Sequence, residues 1–168
     1  EHMKTKLRIT AGVAFELAGL ALGGVMLLQV DEANPFWVNF ILTILGFASL
    51  WYFPHSLSHF AVGRILGVKF RYFYIAESGL THLDNPLLKK LGSMMPVVGV
   101  KIDRRGFEDI SPERRALMFL SGTLASLSLP FIAAYTSLRA GENLLALFFT
   151  LALIGNTVFT LYYSTKVG

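Results

Sequence analysis

Long apolar runs separated by short polar stretches dominate the pattern of residues along this chain. Four runs are near or above the length of about 20 residues in which an α-helix crosses a bilayer. They cover residues 9–30, 36–63, 116–135 and 144–163. The second run is longer than one perpendicular crossing requires, so we expect its helix to be tilted, kinked near Pro54 or protruding from the bilayer. The pattern predicts four transmembrane helices.

The polar segment between the second and third runs, residues 64–115, has a different pattern. Its first part alternates between two sets of side chains, as expected of a β-strand. A serine, a proline and an acid near its end are typical of a helix start. The predicted elements are a strand at 68–75, a turn or short amphipathic helix at 86–95, a returning strand at 97–102 and a helix start at 111–113.

Composition agrees with a membrane protein. Hydrophobic residues make up 54% of the 168 residues and charged residues only 15%, with a mean hydropathy of +0.55, which is more apolar than a soluble domain. We therefore predict an all-α integral membrane protein with short strands in its polar segment.

Residues 1–3 resemble a cloning remnant, and residues 4–168 are expected to form a single membrane domain. The first run is too long for a secretory signal and lacks a cleavage site.

The positions of the basic residues predict the orientation in the membrane, and the lack of cysteine excludes several kinds of chemistry. Of the 15 basic residues, only Arg139 lies in a loop that would face away from the segment 64–115. The positive-inside rule then places both termini and that segment in the cytoplasm. The chain has no cysteine, which excludes disulfides, thiolate metal ligands and a cysteine nucleophile. We find no nucleic-acid motif.

Four polar residues in the apolar runs form a candidate site. His55 and His59 are four residues apart, so a helix would present both imidazoles on one face. With a rise of about 1.5 Å per residue, these histidines, Glu16 and Asn156 lie about 8–15 Å from the nearest cytoplasmic charge. One interpretation is a zinc centre with Glu16 as third ligand or base and Asn156 as a hydrogen-bonding group. The alternative is a hydrogen-bonded pair of Glu16 with a histidine that only ties helices together.

Residues 55–68 resemble the site-2 protease family of intramembrane zinc metalloproteases. The family has a histidine-glutamate-x-x-histidine motif in a membrane helix, followed by an arginine and a leucine-glycine-valine that leads into a surface strand. The matching residues are His55, His59, Arg64, Leu66, Gly67 and Val68. The resemblance implies that His55 and His59 bind zinc and that the substrate is a peptide bond of a transmembrane protein.

A second stretch, residues 121–126, is similar to the family's glycine-proline-leucine-alanine-asparagine element. Gly122, Leu124 and Ala125 match, while Thr123 and Ser126 replace the proline and the asparagine. Asn156 corresponds to the asparagine that opens the family's last motif. The proline-rich turn and the ligand aspartate expected after it are absent from residues 161–164, so the third ligand is not identified by the resemblance.

Ser56 stands where the family motif has its glutamate. That glutamate takes a proton from metal-bound water, and a serine hydroxyl does not ionise near neutral pH, so it cannot replace it. Either Glu16 supplies the carboxylate from another helix, or the chain is a pseudoenzyme that keeps the fold and the metal. The competing function is a non-enzymatic membrane protein that binds a transmembrane helix or, through residues 68–115, a cytoplasmic partner. A small transporter is less favoured, because four spans without internal symmetry support it poorly.

Overall fold

The computed structural model describes residues 3–78, 86–94, 96–103 and 107–167. Of the residues interpreted as a cloning remnant, Glu1 and His2 lie outside the described residues. The described chain is mostly helical and contains one small sheet. The helices are α1 (Ile9–Leu28), α2 (Phe36–Tyr52), α3 (Pro54–Ile65), α4 (Pro86–Met94), α5 (Pro112–Ser128), α6 (Phe131–Arg139) and α7 (Asn143–Val167), and the strands are β1 (Met3–Leu7), β2 (Phe70–Glu77) and β3 (Pro96–Ile102).

Among the described residues, four helical segments are long and apolar enough to cross a membrane. They are Ile9–Leu28, Phe36–Ile65, Pro112–Arg139 and Asn143–Tyr162. In each segment, only 17–28% of the residues in an apolar stretch of 18 residues are buried inside the protein. Most of these apolar side chains therefore face outward, where lipid would cover them. The prediction of four helices long and apolar enough to span a bilayer is confirmed, which is consistent with a multi-pass membrane protein.

Two of these segments are interrupted at prolines. The second is broken at Phe53, between the end of α2 and Pro54, because proline lacks an N–H group and its ring clashes with the carbonyl four residues before it. Phe53 itself keeps helical dihedral angles, φ −71° and ψ −32°, so the tilt, the kink and the protrusion expected of this long helix all stay predictions. The third segment is broken before Phe131, at Leu129 and Pro130, which the continuous apolar pattern did not predict.

The strands form an antiparallel sheet in the order β1-β2-β3. Leu7 pairs with Phe73, which pairs with Val100, and Lys6 pairs with Tyr74. The predicted strands β2 and β3 and the short helix α4 are confirmed. Strand β1 was not predicted, because the basic residues before the first span fit the usual flank of a transmembrane helix.

The chain divides into two compact units, each with its own core. We call Glu1–Glu16 with Ser56–Ser121 the sheet unit, and Leu17–His55 with Gly122–Gly168 the helical unit. In the sheet unit, buried Val68, Phe70 and Met118 pack together, and in the helical unit the buried cluster includes Leu27, Leu50 and Ala133. The expectation of a single membrane domain stays a prediction.

Candidate functional site

The two histidines lie on α3, four residues apart, as the sequence predicts. His55 is exposed, and its Nδ1 lies 3.2 Å from the hydroxyl of Ser126 on α5. This contact is a hydrogen bond in either direction, since a hydroxyl both donates and accepts. Ser126 is the residue that replaces the family's asparagine, so the contact joins the two stretches that carry the resemblance.

His59 makes a hydrogen bond of fixed direction. Its Nδ1 lies 2.8 Å from the backbone carbonyl oxygen of Met118, and a carbonyl can only accept. The proton of the neutral ring is therefore on Nδ1 and the lone pair on Nε2, which is the arrangement of a histidine oriented for a metal by a backbone carbonyl. The ring also meets Phe119 edge to face, with centroids 6.1 Å apart.

Ser56 is buried and faces the sheet. Its hydroxyl donates to the carbonyl oxygen of Val98 in β3. One turn later, the Phe60 ring packs on Phe70 and Phe73 with centroids 5.3 and 5.4 Å away. A side chain at Gly63 would overlap Phe70. The position that carries the family's glutamate therefore serves here to hold α3 against the sheet.

The end of α3 explains the leucine-glycine-valine part of the motif. Gly67 has a φ of 90°, in the left-handed region that favours glycine. The Val68 N–H donates to the Gly63 carbonyl at 2.8 Å and the Gly67 N–H to the Arg64 carbonyl at 3.2 Å, which is a Schellman motif. This turn ends α3 and directs the chain into β2.

Glu16 on α1 is fully buried, and neither of its carboxylate oxygens accepts a hydrogen bond from any described residue. The backbone N–H of Leu57 lies near the carboxylate without the geometry of a hydrogen bond. Buried carboxylates in proteins normally have hydrogen-bond partners, because burying one without them is costly. The alternative weighed from the sequence, a hydrogen bond of Glu16 to a histidine, is therefore not formed with His55 or His59, the two histidines that the structure describes.

The two remaining candidates lie in the helical unit. Gly122 is buried on α5. Asn156 is half-buried on α7, and its side-chain Nδ2 is buried without a hydrogen-bond partner among the described residues. Asn156 is therefore a second polar group in an apolar helix whose hydrogen bonding is incomplete.

The two imidazoles are ligands of the kind that zinc binds, but they are fewer than a zinc site normally has. Two imidazoles on one helix turn, one of them oriented by a backbone carbonyl, are the ligands that zinc uses. Within the ranges that the structure describes, no group of three or more histidine, cysteine, aspartate or glutamate side chains could hold a metal ion. Three protein ligands are normal for a catalytic zinc, so the described donor set is incomplete.

The sequence analysis missed a buried polar network in the helical unit. Asn39 on α2 is fully buried and donates through Nδ2 to the Asp31 carbonyl at 2.8 Å and to Glu142 Oε1 at 3.1 Å. One turn on, the Thr43 hydroxyl lies 3.4 Å from that of Ser137. The sequence does carry a signal for this network, since Asn39 and Thr43 are four residues apart in an apolar run.

Comparisons of the chain with protein-family models, with curated proteins and with solved structures give no match. The resemblance to site-2 proteases, carried by residues 55–68, residues 121–126 and Asn156, therefore stays a prediction.

Proposed function

We propose that this chain is a site-2 protease-like intramembrane protein whose metallopeptidase chemistry is degenerate or altered. The observation that carries the proposal is the contact between His55 and Ser126, because it joins the two stretches that resemble the family. The hydrogen bond of His59 Nδ1 to the Met118 carbonyl supports the same conclusion, since histidines that bind metals are commonly oriented by such a carbonyl.

In this proposal His55 and His59 bind zinc, and their rings are oriented by Ser126 and Met118 respectively. A zinc ion at such a pair would polarise a peptide carbonyl and promote ionisation of water near neutral pH. Because the described residues offer no third ligand in the same group, the proposal assigns metal binding to the histidines and derives no hydrolytic step from it.

Glu16 is the carboxylate that the motif lacks at position 56. A general base needs an ionisable group near its operating pH, and Ser56 has none and already donates to Val98. The oxygens of Glu16, by contrast, have no hydrogen-bond partner among the described residues, so they are available to a proton or a cation. The active alternative assigns Glu16 the role of base or of ligand, although it does not form one group with both histidines among the described residues.

The competing function is a non-enzymatic membrane protein that binds a transmembrane helix or a cytoplasmic partner. The bond of Ser56 to Val98 favours it, since the motif position is used for packing. Under this alternative the two imidazoles orient helices and the segment 68–115 is the contact surface. The two functions differ in one respect that is easily measured, which is bound metal.

The test is the metal content of the purified full chain. We expect about one zinc per chain in the wild type, and its loss in His55→Ala and in His59→Ala. His82→Ala is the matched control, since it removes a histidine outside the motif, and it should keep the zinc. Zinc-free wild-type protein at neutral pH would exclude the metal site and leave the binding function.

If zinc is present, the variant Glu16→Gln distinguishes an active metallopeptidase from a pseudoenzyme. A metallopeptidase that uses Glu16 should lose turnover of a membrane substrate by about 100-fold or more in this variant. Unchanged turnover would exclude Glu16 as base and as necessary ligand. Absence of turnover in both proteins, with zinc retained, is the result expected of a pseudoenzyme.

The proposal includes an orientation with both termini in the cytoplasm, which is based on the basic residues. Arg8, directly before α1, and Arg64, in the last turn of α3, are exposed. Because the chain has no cysteine, single cysteines report topology without background. In intact cells an impermeant maleimide should label Glu32→Cys and should reach Thr5→Cys only after permeabilisation. The reverse pattern would overturn the orientation.

A further inference from the structure

The three-stranded sheet has one face packed against helices. Side chains of a strand alternate between faces, so Leu7, Phe73 and Val100 share one face across the three strands. Phe73 is fully buried. It contacts Phe60 of α3, and a side chain at Gly12 of α1 would overlap its ring. This face is covered by the sheet unit itself.

The opposite face carries cations and aromatic rings. It contains Lys6, Tyr72, Tyr74 and Lys101, and we call these four residues the outer face. Lys6 is exposed and the other three are half-buried. The Lys6 ammonium lies 5.2 Å from the centroid of the Tyr72 ring, a cation–π contact. The Tyr74 ring covers the strand at Gly99, where a side chain would overlap it.

The charge of this face is positive. None of the described β-strand positions on it is acidic. Asp103 follows the end of β3, but it lies 3.3 Å from the Arg71 guanidinium, which matches its charge. Lys6 and Lys101 therefore share one face with two tyrosine rings, a combination that suits a phosphate next to an apolar chain.

The sheet follows directly from the membrane-spanning segments. Only Arg8 separates β1 from α1, and four residues, 66–69, separate α3 from β2. Phe73 packs at Gly12, which is the fourth residue of α1. Short connections of this kind keep the end of β1 and the start of β2 close to the ends of two spans, which is where the lipid headgroups of a bilayer would lie.

We infer that the outer face binds the headgroup of an anionic phospholipid, with Lys6 and Lys101 at its phosphate and the tyrosine rings at the interface. Basic residues next to a span attract anionic lipid, and tyrosine is favoured at headgroup depth. The inference does not depend on zinc or on peptidase activity. It adds a specific lipid site to the general expectation of a bilayer around the spans.

The experiment uses the full chain in nanodiscs of phosphatidylcholine with phosphatidylglycerol. After transfer to mild detergent, the lipid that stays with the protein is identified and quantified by mass spectrometry. We expect the wild type to retain phosphatidylglycerol in preference to phosphatidylcholine. Lys6→Gln with Lys101→Gln should lower that retention by roughly ten-fold or more.

Two further variants make the result specific. Lys89→Gln with Lys90→Gln removes the same charge from exposed residues of α4, and it should change retention by less than about two-fold. Lys6→Arg with Lys101→Arg keeps the charge and should keep the lipid, which distinguishes lost binding from lost folding. Equal losses in the α4 pair and in the outer-face pair would overturn the inference, because general charge would then explain both.

Competition with inorganic phosphate distinguishes a lipid site from a site for a soluble anion. A site for a lipid headgroup gains affinity from the acyl chains, so millimolar inorganic phosphate should not displace phosphatidylglycerol. Displacement by inorganic phosphate would show a soluble-anion site and would overturn the assignment to lipid. Equal retention of phosphatidylcholine and phosphatidylglycerol by the wild type would exclude a preference for an anionic headgroup.

Discussion

Two buried polar residues, one in each unit, differ completely in their hydrogen bonding. Asn39 in the helical unit and Glu16 in the sheet unit are both fully buried in apolar helices. The Asn39 amide makes four hydrogen bonds, accepting from the Asp31 N–H and from Asn34 Nδ2 and donating to Asp31 and Glu142. Glu16 makes none with any described residue. The same degree of burial therefore supports the fold in one case and costs stability in the other.

The difference indicates what each residue is for. An amide with two donors and two acceptor sites is fully satisfied by four bonds, so Asn39 fixes the loop 29–35 against the start of α2 and against Glu142. A buried carboxylate without partners costs free energy, and such residues inside membrane proteins are functional hypotheses by default. Asn39 is thus assigned to stability, whereas the chemical role of Glu16 stays a proposal.

Asn39→Leu should give the largest effect on stability. The substitution leaves the Glu142 carboxylate and both backbone groups of Asp31 without their partner, and we expect a loss of about 2–3 kcal/mol in the free energy of unfolding. Unfolding in detergent, followed by circular dichroism, measures it. Trp37→Leu, at an exposed position of the same helix turn, is the control and should change little. A loss below about 0.5 kcal/mol would refute the structural role of Asn39.

Ser56→Ala should have a smaller effect, because one hydrogen bond is lost rather than four. We expect about 1 kcal/mol, since the Val98 carbonyl is left with one partner fewer. Ser58→Ala on the same helix is the matched control and should be nearly neutral. The expected difference between these two variants would show that the sheet unit, which contains Glu16, also contains a polar group that contributes to stability. Equal losses in both variants would contradict that interpretation.

Thr43→Val should have the smallest effect of the three. The distance of 3.4 Å between the Thr43 and Ser137 hydroxyls is long for a hydrogen bond between oxygens. Valine has the same shape, and hydrogen bonds between membrane helices contribute about 0.6 kcal/mol on average. We expect a loss of about 0.5 kcal/mol by the same unfolding measurement. A loss as large as that of Asn39→Leu would show that the Thr43 contact is central to the network.

The helices were readable from the sequence because a bilayer imposes length and composition on each span. α1 begins at Ile9, and α7 begins at Asn143, each within one residue of the predicted start. The break at Leu129 and Pro130 was not readable from hydropathy, since apolar residues continue on both sides. Strand β1 was missed for a related reason, because its basic residues are equally typical of a membrane flank.

The candidate site was readable only in part. The spacing of His55 and His59 predicted that they share a helix, and the motif predicted the glycine turn that ends α3. Which groups meet them could not be predicted, because the partners Ser126 and Met118 are about 60–70 residues away in sequence. The lack of hydrogen-bond partners for Glu16 among the described residues also depends on the tertiary structure. An apolar run predicts that a carboxylate within it is buried, but not which groups surround that carboxylate.

The central claim is that Glu16 is kept for chemistry at a cost to the fold, and the stability of Glu16→Met tests it most directly. Methionine has a similar length and no group that needs a hydrogen bond, so the variant should be as stable as the wild type or more stable, by about 1 kcal/mol. The measurement is the free energy of unfolding of both proteins at neutral pH in the same detergent. A loss of 2 kcal/mol or more, comparable to that of Asn39→Leu, would show that Glu16 supports the fold and would contradict the account.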